Sequence, residues 1–96
     1  MTQSRLTVAV SNTFFKSLNK LPDKSRGKVA SFLSKFRDNP RSPGLNYEHI
    51  EGGKDNLIRS VRVDQEIRCI VRAPDQGNVY VLLWVCVRFG FVFTFA

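Results

Sequence analysis

Apolar and polar positions along the chain follow two periods. Between Arg5 and Val10, Leu6, Val8 and Val10 alternate with polar or small residues, and a period of two predicts a short strand. Ser11 or Asn12 is placed to cap a helix by accepting a hydrogen bond from an early backbone N–H, and Phe14, Phe15, Leu18 and Leu21 follow at helical spacing. Pro22 stops that helix and Asp23 is placed to cap the next. Over residues 24–38, Val29, Phe32, Leu33 and Phe36 form an apolar stripe wide enough to dock on a sheet, and Lys24, Arg26, Lys28, Lys35 and Arg37 occupy the other faces. Asn39-Pro40 ends this helix, because a residue before proline is pushed out of the helical region.

A loop through Arg41-Ser42-Pro43-Gly44 leads to Tyr47-Glu48-His49-Ile50, where the pattern selects no element. Three strand-like runs follow, Leu57–Val63, Ile67–Ala73 and Val79–Val87, and the short segments between them predict an antiparallel meander. Counting by twos puts Leu57, Val61, Val63, Ile67, Cys69, Val71, Val79, Val81, Leu83 and Val85 on one face for the helices to cover. The other face then collects Ser60, Arg62, Arg68, Ile70, Arg72, Tyr80, Leu82 and Trp84. Arg59 shares the parity of the core set, which places it near a strand end or beside a bulge.

Charge divides the chain. Residues 1–48 carry nine basic and three acidic side chains (+6), and residues 49–96 carry six and five (+1). After Lys54 every basic residue is arginine, whose planar fork of donors matches phosphate, whereas lysine suits a solvated face. An anionic partner follows, with nucleic acid and an acidic protein both open. With 96 residues and 43% hydrophobic content, the chain has material for one core, and the whole of 1–96 is expected to form a single domain. Disorder and a disulfide scaffold are excluded by the apolar content and by a cysteine count of two. Cys69 and Cys86 suit reduced packing positions in a cytoplasmic protein, and no metal-ligand spacing or cofactor motif is present.

The order strand, helix, helix, meander resembles the RelE/ParE superfamily of toxins from bacterial type II toxin–antitoxin pairs. The resemblance is carried by Phe15-Lys16-Ser17-Leu18 with Leu21-Pro22, by Phe32-Leu33-Ser34-Lys35-Phe36 with Asn39-Pro40, and by Gly44-Leu45-Asn46-Tyr47-Glu48. It continues through Leu57–Val63, Arg68-Cys69-Ile70-Val71 and Val79–Val85, covering about residues 6–86. It implies an α+β fold in which a strand and two helices precede an antiparallel meander of three to four strands, both helices on one face. It also implies an antitoxin partner and, in the RelE branch, metal-free cleavage of messenger RNA on the ribosome.

Such cleavage deprotonates a ribose 2′-OH, stabilises an anionic phosphorane and protonates the leaving oxygen. Arg62 and Arg68 match basic strand positions of RelE-like toxins and are the candidates for phosphate stabilisation, with Arg59 and Arg72 as further phosphate contacts. Glu48 and His49 are the candidates for proton transfer, and Tyr80 and Trp84 for stacking on bases. The resemblance stops at the C-terminus. Relatives continue with a polar segment that supplies a catalytic group, whereas residues 87–96 here are Phe-rich and contain no histidine, carboxylate side chain or tyrosine. The alternative is therefore a protein that binds without cleaving: a ParE-like inhibitor of a DNA-handling enzyme, or an inactive antitoxin-binding domain.

Residues 79–96 are apolar enough to suggest a membrane span. Arg88 near the middle would cost about 2.5–3.5 kcal/mol on insertion, and the alternating β-branched pattern favours a strand, so no membrane association is expected. Phe89, Phe91, Phe93 and Phe95 share one parity, and a strand there would offer four rings to the core, to an antitoxin helix or to a homodimer partner through 86–96.

Overall fold

In the computed structural model, which describes residues 7–50, 55–89 and 92–93, the chain begins with β1 (Thr7–Val10), α1 (Asn12–Asn19) and α2 (Asp23–Asp38). A single 3-10 turn (Pro43–Leu45) then leads to β2 (Glu48–His49), β3 (Ile58–Arg62), β4 (Ile67–Arg72), β5 (Val79–Phe89) and β6 (Val92–Phe93). Of the two candidate caps for α1, Ser11 takes the role: its backbone is extended and its hydroxyl accepts from the Phe14 N–H at 3.1 Å. Asp23 does not cap α2. Pro22 occupies that position without a side-chain bond, and Asp23 lies in the first turn, paired with Arg26, where a carboxylate is favoured by the helix dipole. Asn39 ends α2 in an extended conformation, as its following proline requires.

The sheet runs in the order β1-β5-β4-β3-β2, with β6 also pairing β5. β3, β4 and β5 form the expected antiparallel meander, and β1 lies parallel to β5. Both helices cover one face. Phe14 from α1, Leu21 from the turn after it, and Val29, Phe32 and Phe36 from α2 close over Val61, Ile67, Cys69, Val71, Leu82 and Val85. Phe15 departs from its expected place in this stripe. It follows Phe14 by one residue, so helical rotation turns it outward, and it is 52% exposed.

A second departure lies in β5. Ile70 pairs with Trp84 and Val71 with Leu82, so Leu83 is an extra residue, a bulge that exchanges the two faces of the strand at that point. Before it, Tyr80 and Leu82 point to the helices; after it, Val85 and Val87 do. The uninterrupted count by twos was therefore wrong for Tyr80 and Leu82, which belong to the core side, and for Val79, which is exposed. Tyr80 packs edge-on against Phe36, with ring centroids 5.2 Å apart.

α1 holds the bulge in place. β1 ends at Val10 opposite Leu82, so the next residues of β5 lose their strand neighbour on that side. The Ser11 hydroxyl donates to the Leu83 carbonyl at 2.9 Å, and the buried Ser17 Oγ accepts from the Val85 N–H at 2.9 Å. Two serines thus supply the partners that backbone groups removed from water require.

No helix among the described residues is long and apolar enough to cross a membrane. The Phe89, Phe91, Phe93, Phe95 face and its homodimer contact lie outside the residues whose side chains are described. There the structure gives only the backbone pairings Arg88 with Phe93 and Phe89 with Val92.

Candidate functional site

Strand register orders the face that the helices leave open. One row across the sheet is Glu48, Ser60, Ile70 and Trp84, and the next is Arg62, Arg68 and Cys86. A third row, on the other side of the first, holds Ile58, Arg72 and Val81. The apolar middle is well covered, with Ile70 2% and Cys86 4% exposed. Around it stand three arginines in different states. Arg68 lies low, its side chain 11% exposed, and pairs with Glu48 at 3.1 Å. Arg72 is exposed and donates from Nε to Asp55 at 2.8 Å. Arg62, directly across from Arg68, is exposed and makes no ion pair among the described residues.

Glu48 is placed by more than the arginine. Asn46, in the left-handed conformation at the end of the 3-10 turn, donates from Nδ2 to the same Glu48 oxygen at 2.9 Å. Asp55 is held below the usual carboxylate range, first by its bond from Arg72 and then by the Leu57 N–H. Burial pushes the Cys86 thiol up to about 11, and the Cys69 thiol on the other face higher still, so both remain protonated packing groups.

The structure separates residues that the sequence grouped. Glu48 and His49 are neighbours in a strand, so they point to opposite faces. His49 is directed away from the arginines, and its Nε2 approaches the Asn56 carbonyl at 3.2 Å. Arg59, paired with His49, donates to that same carbonyl at 2.7 Å. Tyr80 lies on the helix side, where burial raises the pKa of its phenol, with the Tyr47 phenol nearby as the next cause. It cannot serve a stacking platform on the open face. Trp84 does lie there, beside Ile70 and half-buried. Arg62, Arg68, Arg72, Glu48 and Trp84 are thus brought together, and His49, Arg59 and Tyr80 are not.

A cleft of about 630 Å³ adjoins this face. Among the described residues β2 pairs only with Arg59 and Ser60, so beyond them β3 is flanked by the 3-10 turn instead of a strand, and α2 contributes to the same cleft. Lys28, Ser31, Phe32, Lys35 and Asp38 line it from α2, Leu45 from the 3-10 turn, and Arg62, Val63 and Asp64 from the end of β3 and the residues after it. Lys28 is committed to Asp64 at 2.8 Å. Burial opposes ionisation of Asp64, but the bonds from Lys28 and from the Glu66 and Ile67 N–H groups outweigh it and hold the carboxyl low. Lys35 is exposed and makes no ion pair among the described residues. Among those residues no three His, Cys, Asp or Glu side chains converge as a metal site.

No family model matches the sequence, and neither does any curated protein. The backbone does match solved structures. One is the RelBE2 toxin–antitoxin complex of Mycobacterium tuberculosis (TM-score 0.72, 22% identity, 88% of this chain and 99% of that one). Another is the archaeal RelE–RelB complex of Pyrococcus horikoshii (TM-score 0.71, 19% identity, 92% and 99%). A third is the YoeB/ParE toxin of Agrobacterium tumefaciens (TM-score 0.67, 11% identity, 88% and 100%). With nearly the full length of those chains matched, this chain has a RelE-like fold.

Proposed function

We propose that this chain is the toxin-type component of a toxin–antitoxin pair and that it binds RNA, in a ribosomal context in the bacterial cytoplasm, through the open face of its sheet. The observation that carries this reading is the direct cross-strand pairing of Arg62 with Arg68 on a face without a covering helix, where Arg72 also lies, four residues along β4 from Arg68. Like charges placed opposite each other on adjacent strands are unfavourable, and a bound phosphate between the two forks removes that penalty. Trp84 offers a ring for a base next to them. An antitoxin partner is supported by the fold, since two of the matching structures are toxin–antitoxin complexes.

The same face supplies two of the three needs of metal-free RNA cleavage. Arg62 and Arg68 stabilise the charge of the phosphorane, and Glu48 accepts the 2′-OH proton once phosphate draws Arg68 away from it. Histidine and tyrosine, the usual donors to a leaving oxygen, do not lie on this face among the described residues. That chemistry favours, as a second reading, binding without cleavage, by a ParE-like inhibitor of a DNA-handling enzyme or an inactive antitoxin-binding domain.

Primer extension on translating ribosomes separates the readings. New 5′ ends that disappear with Arg62→Ala and Arg68→Ala support the nuclease, whereas intact messenger RNA together with blocked DNA supercoiling supports the inhibitor. Each substitution is expected to weaken RNA binding by about 1.5–3 kcal/mol, the usual range for a hydrogen bond to a charged group.

A further inference from the structure

We propose that bound RNA does not stop at the open face, but passes over the edge of β3 into the cleft between α2 and the 3-10 turn, where Lys35 takes a further phosphate. This inference rests on the RNA-binding reading above.

Arg62 belongs to both places. By register it stands on the open face opposite Arg68, and it also lines the cleft. Among the described residues no strand pairs with β3 on that side beyond Ser60, so nothing of β2 stands between the two. Cationic positions therefore run from Arg68 to Arg62 at the edge and on to Lys35 on the α2 wall.

The ion pairs indicate which positions in the cleft are available. Lys28 lies on the same wall but is neutralised by Asp64, which is itself tied into the β3–β4 turn by the Glu66 and Ile67 N–H groups. Lys35 and Arg62 have no such partner among the described residues, and Ser31, Asn39 and Ser42 add neutral polar groups to the lining. With Lys28 offset by Asp64, the lining sets Lys35 and Arg62 against the single carboxylate of Asp38, and an open cleft that keeps this excess of positive charge suits a phosphodiester backbone. An acidic protein segment is the competing occupant. The RNA is favoured because the cleft is continuous, through Arg62, with the arginines of the sheet, and a guanidinium fork matches phosphate.

The test measures fluorescence anisotropy of the full chain with 2′-O-methyl oligouridylates, which cannot be cleaved, of about four and about twelve nucleotides. The longer strand is expected to bind more tightly. Lys35→Ala should remove that advantage, by about five-fold at 0.1 M salt for one single-strand phosphate contact, and leave the short strand unchanged. Lys24→Ala, an equal loss of charge on α2 outside the cleft lining, should leave both unchanged. The inference is overturned if Lys35→Ala alters neither strand or weakens both alike, or if Lys24→Ala has the same effect as Lys35→Ala. It is also overturned if polyglutamate, and not RNA, binds in a Lys35-dependent way, which assigns the cleft to a protein segment. Short-strand binding that depends on Arg68 without any gain from length removes this inference alone. If neither strand binds, the RNA-binding reading falls with it.

Discussion

Ser17 shows how much of this fold depends on single polar atoms. Its hydroxyl is buried, donates to the Phe14 carbonyl at 2.8 Å within α1, and accepts from the Val85 N–H across to β5. Donation inside its own helix is commonplace; acceptance from β5 is what joins the two elements. Replacing Ser17 with alanine leaves a buried N–H without a partner, and such a loss costs about 1–3 kcal/mol. Urea unfolding of Ser17→Ala should show a lower midpoint at an unchanged slope, whereas the exposed neighbour Lys16→Ala should stay within about 0.5 kcal/mol of the parent. An unmoved midpoint in Ser17→Ala would mean that water satisfies the Val85 amide. The sequence contained no signal for this role, because a serine inside a helix reads as a surface residue unless its tertiary neighbour is known.

Elements were legible in proportion to the contrast between their faces. In α2 the apolar stripe stands against lysines and arginines, and Val29, Phe32 and Phe36 are buried as the period requires. In β3 and β4 Val61, Cys69 and Val71 fall on one parity and Arg62, Arg68 and Arg72 on the other, so the face of these three arginines was readable from parity, with Arg59 as the exception. β5 is apolar on both parities, from Val79 through Val85, and a one-residue slip changes nothing in its pattern, so the bulge at Leu83 was invisible. β2 is too short to show a period, and the division of Glu48 from His49 appears only with its pairing to β3. The bulge gives the two aromatics of β5 different tasks, which can be measured. Tyr80→Ala opens a space against Phe36 and is expected to cost roughly 2–4 kcal/mol of stability, somewhat less than a fully buried aromatic, with RNA affinity unchanged for the folded fraction. Trp84→Ala is expected to lower RNA affinity by about 1–3 kcal/mol, the cost of one stacked base. Calorimetry and RNA titration of the two variants should give opposite rankings, and equal loss of RNA affinity in both would contradict the facing that the bulge imposes.

For the molecule as a whole, the net charge of +7 does not identify the surface that binds. Most of the excess is in the first half, on α1, α2 and the loop after them, and much of it is lysine on faces turned away from the sheet. The RNA-binding reading instead depends on Arg62, Arg68 and Arg72, in a half of the chain whose net charge is only +1. Salt dependence distinguishes these sources, because each phosphate neutralised on a single strand contributes about −0.7 to the slope of log K against log salt concentration. Three arginine contacts predict a slope of about −2 for a short RNA, and adding Lys35 for a longer one predicts about −3. Lys16, Lys20 and Lys24 replaced together by alanine should leave the slope unchanged although the protein loses three charges, while Arg62→Ala should reduce it by about 0.7. A parent slope steeper than about −4, or one that flattens when the three lysines are removed, would move the binding surface from the sheet to the helices.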